Sequence, residues 1–273
     1  MKVSFKIFTV LIAFFMGMAA ISAFGGTSSS VFLPDDTIKV TILYDNYIFT
    51  GGTKADWGFS CLIEGTEKTI LFDTGTNPDI LWHNIRQLDI DIEKVDIVAI
   101  SHIHGDHTGG LFSILEEKKD VPVYIPASFP DSFVSRITDA GGKPVQVDKP
   151  IQICREVFLS GEMGTQIIEQ AIVFDLDDGL VVITGCAHPG IASMVKNIRE
   201  QHNKDVKFVF GGFHLMQHSA DQVKEIIKQF NETGVVKCGA THCTGDNAIE
   251  IFKKEYGDNF VGMGVGRIIE IKQ

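Results

Sequence analysis

Residues 101–110 read SHIHGDHTGG and directly follow a short apolar run. Such a run predicts a buried β-strand, and the residues after it then lie at the edge of a sheet where α/β proteins build their sites. The stretch carries His102, His104, Asp106 and His107 within six positions. Zinc accepts imidazole nitrogen and carboxylate oxygen, and glycine permits the tight turns that bring neighbouring side chains together. The stretch therefore predicts a metal site, and its spacing permits two metal ions.

The rest of the chain predicts an α/β fold in which strands and helices alternate. Short apolar runs predict strands, and amphipathic stretches predict helices. The predicted strands are 38–44, 59–63, 69–72, 95–100, 121–125, 172–174, 181–184, 206–210 and 235–239, and the predicted helices are 79–86, 110–117, 191–200, 220–230 and 248–254. A run of strands followed by strand-helix alternation occurs twice, which is typical of a four-layer αββα sandwich. Residues 141–164 are expected to connect the halves or to join the second sheet.

Residues 1–25 predict a secretory signal peptide. Lys2 and Lys6 precede an apolar run, and small residues follow it, with cleavage after either Ala23 or Gly25. The run is interrupted and short for a bilayer span of roughly 20 residues. We therefore expect residues 26–273 to form one domain that is periplasmic or secreted and has no membrane anchor.

The charge of the chain argues against a nucleic-acid partner. The net charge is −11 for 273 residues, and loss of the two lysines of the signal peptide makes it −13. Basic residues occur only in short pairs, so the surface is expected to repel phosphate backbones. A small-molecule substrate is the expected partner, and the oligomeric state stays open. All five cysteines lie after residue 25, and their odd number requires at least one thiol to be free or paired between chains.

The SHIHGDHTGG stretch resembles the metal-binding signature of the metallo-β-lactamase superfamily. Further motifs of that pattern follow in order, namely LFDTG at 71–75, GCAHPG at 185–190 and THCTG at 241–245. Together with GCAHPG and the His242 motif, the segments DNY at 45–47, WGFS at 57–60 and GGFH at 211–214 resemble one branch of the superfamily. This branch is named for dihydropterin-ribofuranosyl-aminobenzene-phosphate synthase of methanopterin biosynthesis. The resemblance covers about 39–271, and it implies the αββα fold.

The resemblance also implies two sets of metal ligands. By position, His102, His104 and His188 would bind a first metal ion. In the same way, Asp106, His107 and His242 would bind a second. Zinc is the expected cofactor, with one or two ions per chain, and iron and manganese are the alternatives.

The chain departs from the superfamily at one ligand. Most members carry an aspartate that bridges both metals, on the strand that here reads VKFVFGGFH at 206–214. This segment has no carboxylate and ends in His214. A neutral imidazole offers one lone pair and cannot bridge as a carboxylate does. We therefore keep two interpretations of His214 open: a ligand or acid/base group in place of the aspartate, or a histidine satisfied at a strand end.

Three further residues near the predicted ligands have roles that the sequence leaves open. For Asp73, the resemblance implies hydrogen bonds that orient the His102 loop, and a plain turn aspartate is the alternative. Cys186 and Cys243 stand beside the predicted ligands His188 and His242, which suggests a metal or redox role. Small cysteines also fill tight packing beside sites, and packing is the role we expect.

These features predict an exported metal-dependent hydrolase. A metal-activated hydroxide would attack a small ester, lactone, amide or phosphoester, with Asp106 orienting it and His214 as the second candidate catalytic group. One alternative is a transferase similar to the synthase that names the branch, although export argues against it because pterin intermediates are made inside cells. Others are a mononuclear iron redox enzyme, for which two histidines and one aspartate suffice, and a metal-binding protein without catalysis.

Overall fold

A computed structural model of the chain describes residues 37–273, so the predicted signal peptide lies outside the described residues. The strands are β1 (Thr37–Tyr44), β2 (Ser60–Glu64), β3 (Ile70–Phe72), β4 (Ile97–Ala99), β5 (Pro122–Pro126), β6 (Lys143–Val147), β7 (Ile151–Cys154), β8 (Val157–Leu159), β9 (Ile172–Leu176), β10 (Gly179–Thr184), β11 (Val206–Gly212), β12 (Lys237–Thr241) and β13 (Ile268–Lys272). The helices are α1 (Pro78–Gln87), α2 (Gly105–Thr108), α3 (Leu111–Glu117), α4 (Asp131–Asp139), α5 (Ile191–His202), α6 (Ala220–Glu232) and α7 (Asp246–Tyr256).

These strands form two mixed sheets. The first has the order β13-β1-β2-β3-β4-β5-β6, and the second has the order β12-β11-β10-β9-β8-β7. Pairing is parallel from β3 to β6 and from β10 to β12, and antiparallel elsewhere. The parallel part of each sheet ends in loops at one edge, and these loops carry the predicted ligands.

Three apolar cores hold the layers together. The central core lies between the sheets and includes Phe72 from the first and Phe210 from the second. On the outer face of the first sheet, helices α1, α3 and α4 bury side chains such as Leu111. On the outer face of the second sheet, helices α5, α6 and α7 do the same with residues such as Val223 and Phe252. Burial of each such side chain contributes roughly 1.5–3 kcal/mol to the stability of the fold. With helices on the outer face of each sheet, the four layers form the predicted αββα sandwich.

Most predicted elements are present, and the differences lie in the weakly patterned segments. All nine predicted strands and all five predicted helices occur, with ends shifted by a few residues. Segment 141–164 is divided, because β6 extends the first sheet while β7 and β8 extend the second. Helices α2 and α4 and strand β13 were not predicted. Within residues 37–273, no helix has both the length and the apolar character that a membrane span requires.

Candidate metal centre

The loop after β4 and the short helix α2 present four of the predicted ligands. His102 and His107 are fully buried, whereas His104 and Asp106 are partly exposed. His102 Nε2 lies 3.2 Å from His104 Nδ1, so two ring nitrogens converge on one point. The Asp106 carboxylate lies close to His107 and His242, and its donor atom is also within 4.8 Å of those of His102 and His104.

Asp73 lies beneath this loop and orients two of its histidines. Its Oδ1 accepts a hydrogen bond from the Ser101 N–H at 2.7 Å. Its Oδ2 accepts from Ser101 Oγ and from His107 Nδ1, both at 2.7 Å. Because the Ser101 hydroxyl donates to Asp73, it accepts from His102 Nδ1 at 2.9 Å. Both imidazoles therefore carry a proton on Nδ1, and in the neutral ring this leaves the lone pair on Nε2, as metal ligands require.

Glu169 holds the loop that presents His188. Its buried carboxylate accepts four backbone N–H groups, from residues 185, 186 and 187 on Oε1 and from His188 on Oε2, at 2.8–3.1 Å. Burial raises the pKa of Glu169 to about 7, because these hydrogen bonds only partly offset the loss of solvation. Glu169 belongs to no motif, and the sequence interpretation missed it.

Asn46 and Trp57 hold the second group of ligands. His242 Nδ1 donates to Asn46 Oδ1 at 2.9 Å, because an amide oxygen can only accept, and this leaves the lone pair on Nε2. That Nε2 lies 3.4 Å from Asp106 Oδ2. The Trp57 indole N–H donates to the same Asp106 oxygen at 2.8 Å, and the Trp57 ring packs against His242. The DNY and WGFS motifs thus supply partners to the ligands.

The spacing of the donor atoms suits tetrahedral metal coordination. Nitrogen ligands around a tetrahedral zinc are separated by about 3.3 Å, given Zn–N bonds of about 2.0–2.1 Å. The His102–His104 and His242–Asp106 separations of 3.2 and 3.4 Å match this, and His107 Nε2 is 3.7 Å from Asp106 Oδ2. Among residues 37–273, the buried Nε2 atoms of His188 and His242 have no hydrogen-bond partner. A buried polar atom without a partner is costly, and a cation would satisfy both.

Electrostatics keep most of these ligands in the form that binds cations. Burial and the neighbouring imidazoles lower the pKa of His102 and His104, and they lower that of His188 to about 4. Burial raises the pKa of Asp106, but the neighbouring His242 and His107 imidazoles outweigh it and bring that pKa below its usual range. Burial lowers the pKa of His107, but Asp73 outweighs it and raises that pKa to about 9. A proton on His107 therefore competes with a cation.

His214 lies apart from the second ligand set. It is exposed, and its ring centroid is 4.3 Å from that of His188. Within residues 37–273, the one group of possible metal-binding atoms that includes His214 also contains Cys186 and Cys243. His214 is one candidate for the role of the bridging aspartate, but among residues 37–273 its side chain does not group with Asp106, His107 and His242. Its backbone φ of 53° follows the end of β11 and carries the ring to the rim.

Several of these loops contain left-handed backbone. Asp73, Ala187, His214 and His242 have φ angles of 55°, 59°, 53° and 51°. A non-glycine residue in this region costs of order 1–3 kcal/mol and persists where the surroundings hold it in place. All four follow the end of a strand, so they turn the chain sharply enough for ligands from separate loops to converge.

Comparison with known proteins decides the family. The model of the metallo-beta-lactamase superfamily matches residues 58–195, which contain five of the six predicted ligands. The chain belongs to the metallo-beta-lactamase superfamily. It is also 32% identical to 7,8-dihydropterin-6-methyl-4-(beta-D-ribofuranosyl)-aminobenzene-5'-phosphate synthase of Methanocaldococcus jannaschii, over 86% of this chain and 97% of that protein. The predicted superfamily and branch are thereby confirmed.

Solved structures of the superfamily agree with the fold. Tm1679, described as a metal-dependent hydrolase of the beta-lactamase superfamily, is 29% identical with a TM-score of 0.73, over 86% of this chain and all of that chain. A diphosphatase from the PhnP family is 14% identical with a TM-score of 0.59, over 86% of this chain and 98% of that chain, which shows the fold alone. The metallo-β-lactamase αββα fold is therefore confirmed, and the superfamily is one of metal-dependent enzymes.

Asn46→Ala is expected to weaken zinc binding at the second ligand set. Without the amide oxygen, His242 loses the hydrogen bond that fixes its proton on Nδ1 and its ring orientation. Loss of such a partner typically costs about 10–100-fold in metal affinity. Stepwise zinc titration against a competing chelator should show this weakening for one site, with the other unchanged. Asn231→Ala, an exposed change on α6, is the matched control. Equal affinity at both sites in wild type and Asn46→Ala would contradict the role.

Proposed function

We propose that this protein is an exported hydrolase that uses two zinc ions to cleave a small ester, lactone, amide or phosphoester. One observation carries the proposal: two sets of donor atoms share one site at a partly exposed sheet edge. The first set is His102, His104 and His188, whose ring centroids lie 4.7–4.8 Å apart. The second set is Asp106, His107 and His242, whose donor atoms lie within 4.8 Å of one another. A single cation would leave one set, with its buried Nε2 atom, unsatisfied.

The side chains at the rim have separate tasks in this proposal. A bound zinc supplies an activated water and stabilises negative charge that develops on the substrate. Asp106 Oδ2 is held by the Trp57 indole N–H, so this carboxylate is oriented to accept a hydrogen bond from the attacking water. His214 is exposed beside His188, where its imidazole can deliver a proton to the leaving group. Asp106 and His214 are therefore the candidate catalytic residues.

Exposed apolar side chains favour a substrate with an apolar or aromatic part. Trp57 is 44% exposed although it contacts Asp106 and His242, and Ile103, between two ligands, is 36% exposed. Met216 is 58% exposed and lies against the Gly245 turn that follows His242. Large exposed apolar side chains beside a polar site are typical of ligand contact.

A transfer reaction is the second candidate, and the relative from Methanocaldococcus jannaschii is the observation that favours it. In that reaction the same site would join a dihydropterin to a ribofuranosyl-aminobenzene phosphate. We rank it second because the lysines and apolar run of residues 1–25 predict export. A mononuclear iron site ranks lower, since two sets of ligands exceed what such a site needs.

Metal content and turnover of the protein purified from the periplasm or medium test the proposal together. We expect two zinc ions per chain by elemental analysis, and hydrolysis of at least one class in a panel of chromogenic phosphodiesters, esters, lactones and β-lactams. Chelation should abolish turnover, and added zinc should restore it. The mature N-terminus should follow Ala23 or Gly25. Product formation only from an activated dihydropterin and ribofuranosyl-aminobenzene phosphate would favour the transferase, and an intact N-terminus inside cells would contradict export.

A further inference from the structure

The position between the two ligand sets holds a thiol. Cys186 Sγ lies 3.2 Å from His107 Nε2. It falls within 4.8 Å of the donor atoms of His102 and His188, and likewise of those of Asp106, His107 and His242. Among residues 37–273, only Asp106 and Cys186 group, within 4.8 Å, with the donor atoms of two or more other residues from each set. A ligand shared by two cations in this centre would have to lie between the two sets in this way.

We propose that Cys186 bridges the two metal ions as a thiolate, in place of the bridging carboxylate. The inference rests on the two-metal site proposed above and names a ligand of that site. On binding, the Cys186 S–H bond breaks, its proton leaves to solvent, and sulfur lone pairs bind the two cations. No oxidant or further reactant is needed.

The chemistry of the thiolate suits this position better than that of His214. A thiolate sulfur has more than one lone pair, whereas a neutral imidazole has a single free one. Nitrogen and sulfur ligands of a tetrahedral zinc are separated by about 3.5 Å, given bonds of about 2.0–2.1 and 2.3 Å. The Cys186–His107 separation of 3.2 Å is close to that value. The backbone is held as well, because the Cys186 N–H donates to Glu169 at 2.8 Å.

The end of β11 explains why a carboxylate is absent there. A Cβ atom on Gly212 would lie 2.7 Å from Cys243 Sγ and 3.2 Å from Cys186 Cα, and it would also collide with the Gly185 carbonyl oxygen. This position therefore has no room for an aspartate side chain while the Cys186 loop is in place. The thiol reaches the site from the loop after β10, the neighbouring strand.

Cys243 is the natural comparison because it is the second thiol at the rim. It is buried like Cys186, and its thiol donates to the Cys186 carbonyl oxygen at 3.5 Å. Its donor atom groups with Cys186 and His214 but, among the described residues, not with Asp106, His107 or His242. Cys243→Ser therefore removes the second thiol, leaves the Cys186 side chain unchanged and keeps a hydroxyl that can donate to the Cys186 carbonyl oxygen.

Zinc-edge X-ray absorption of the two-zinc protein counts the sulfur ligands. A bridging thiolate contributes to both ions, so we expect one sulfur per zinc at about 2.3 Å in the wild type. A thiolate bound to one ion gives half a sulfur per zinc, and a packed thiol gives none. Cys186→Ser should lose the sulfur signal, and Cys243→Ser should keep it. The cobalt-substituted wild type should show a sulfur-to-cobalt charge-transfer band that grows with both the first and the second equivalent of cobalt. Cys243→Ser should keep this band, and Cys186→Ser should lose it.

Each outcome decides the inference independently of turnover. One sulfur per zinc in both wild type and Cys243→Ser supports the bridge, even when no substrate in the panel is hydrolysed. Two zinc ions with half a sulfur or none, or a signal that survives in Cys186→Ser, overturns it although hydrolysis occurs. A single bound zinc contradicts the proposed function and the bridge together. If Cys186→Ser does not fold, comparison of the wild type with Cys243→Ser still decides.

Discussion

His188→Ala is expected to remove zinc from the first ligand set and to lower kcat/KM by about a thousandfold or more. His188 supplies one of three neighbouring imidazoles of this set, and among residues 37–273 its buried Nε2 has no hydrogen-bond partner. Lewis-acid assistance is worth several kcal/mol, and each 1.4 kcal/mol is a factor of ten in rate. Elemental analysis and steady-state kinetics on the best substrate of the panel measure both effects.

The matched control for this variant is His83→Ala. His83 lies on α1 and makes a hydrogen bond to the Gly52 carbonyl, away from all predicted ligands. We expect it to keep both zinc ions and, within about twofold, the wild-type rate, as is usual for a change away from the site. Retention of zinc and rate in His188→Ala would remove this residue from the ligand set, and loss in both variants would indicate general destabilisation.

Glu169→Ala is expected to lower the free energy of unfolding by about 3 kcal/mol or more. The substitution leaves the four N–H groups of residues 185–188 buried without their acceptor, and each unsatisfied buried group costs about 1–3 kcal/mol before the loop relaxes. The loop carries Cys186 and His188, so zinc affinity should fall as well. Urea unfolding of the zinc-free protein separates the stability effect from metal binding.

Two further variants define the role of the Glu169 carboxylate. Glu169→Gln keeps one acceptor oxygen, so its loss of stability should be smaller than that of the alanine variant. Glu232→Ala, an exposed change near the end of α6, should change stability by no more than about 0.5 kcal/mol. A Glu169→Ala protein as stable as Glu232→Ala would show that the loop finds other partners.

The candidate ligands can be identified from the sequence because they stand in local patterns. Each follows an apolar strand that could be identified from its residues, and the αββα order then brings the strand ends to one edge. The supporting groups were not predictable in this way. Glu169 precedes β9 and contacts a loop that follows β10. No local sequence pattern predicts that contact. From the sequence, Cys186 is expected to be a packing residue, and only the folded structure shows that it lies beside His107.

For His214, the role suggested by the sequence pattern differs from the placement of its side chain in the structure. Its place at the end of β11 suggested that it substitutes for the missing aspartate. The left-handed backbone at His214 turns the ring to the exposed rim, and no feature of the local sequence specifies that turn. The same limit applies to residues 141–164. Their short strands carry few apolar side chains, with β6 mostly exposed or half-buried, so which sheet each joins is decided by tertiary packing.

The division of the ligands between the two sheets has a consequence for how the protein matures. Four ligands follow strand β4 of the first sheet, and two follow strands β10 and β12 of the second. All five cysteines are free thiols, so no disulfide joins distant parts of residues 37–273. Zinc shared by both groups would act as the missing cross-link, restricting the unfolded chain as a disulfide does. The yield of folded protein should then follow zinc supply, with zinc starvation increasing its loss to proteases.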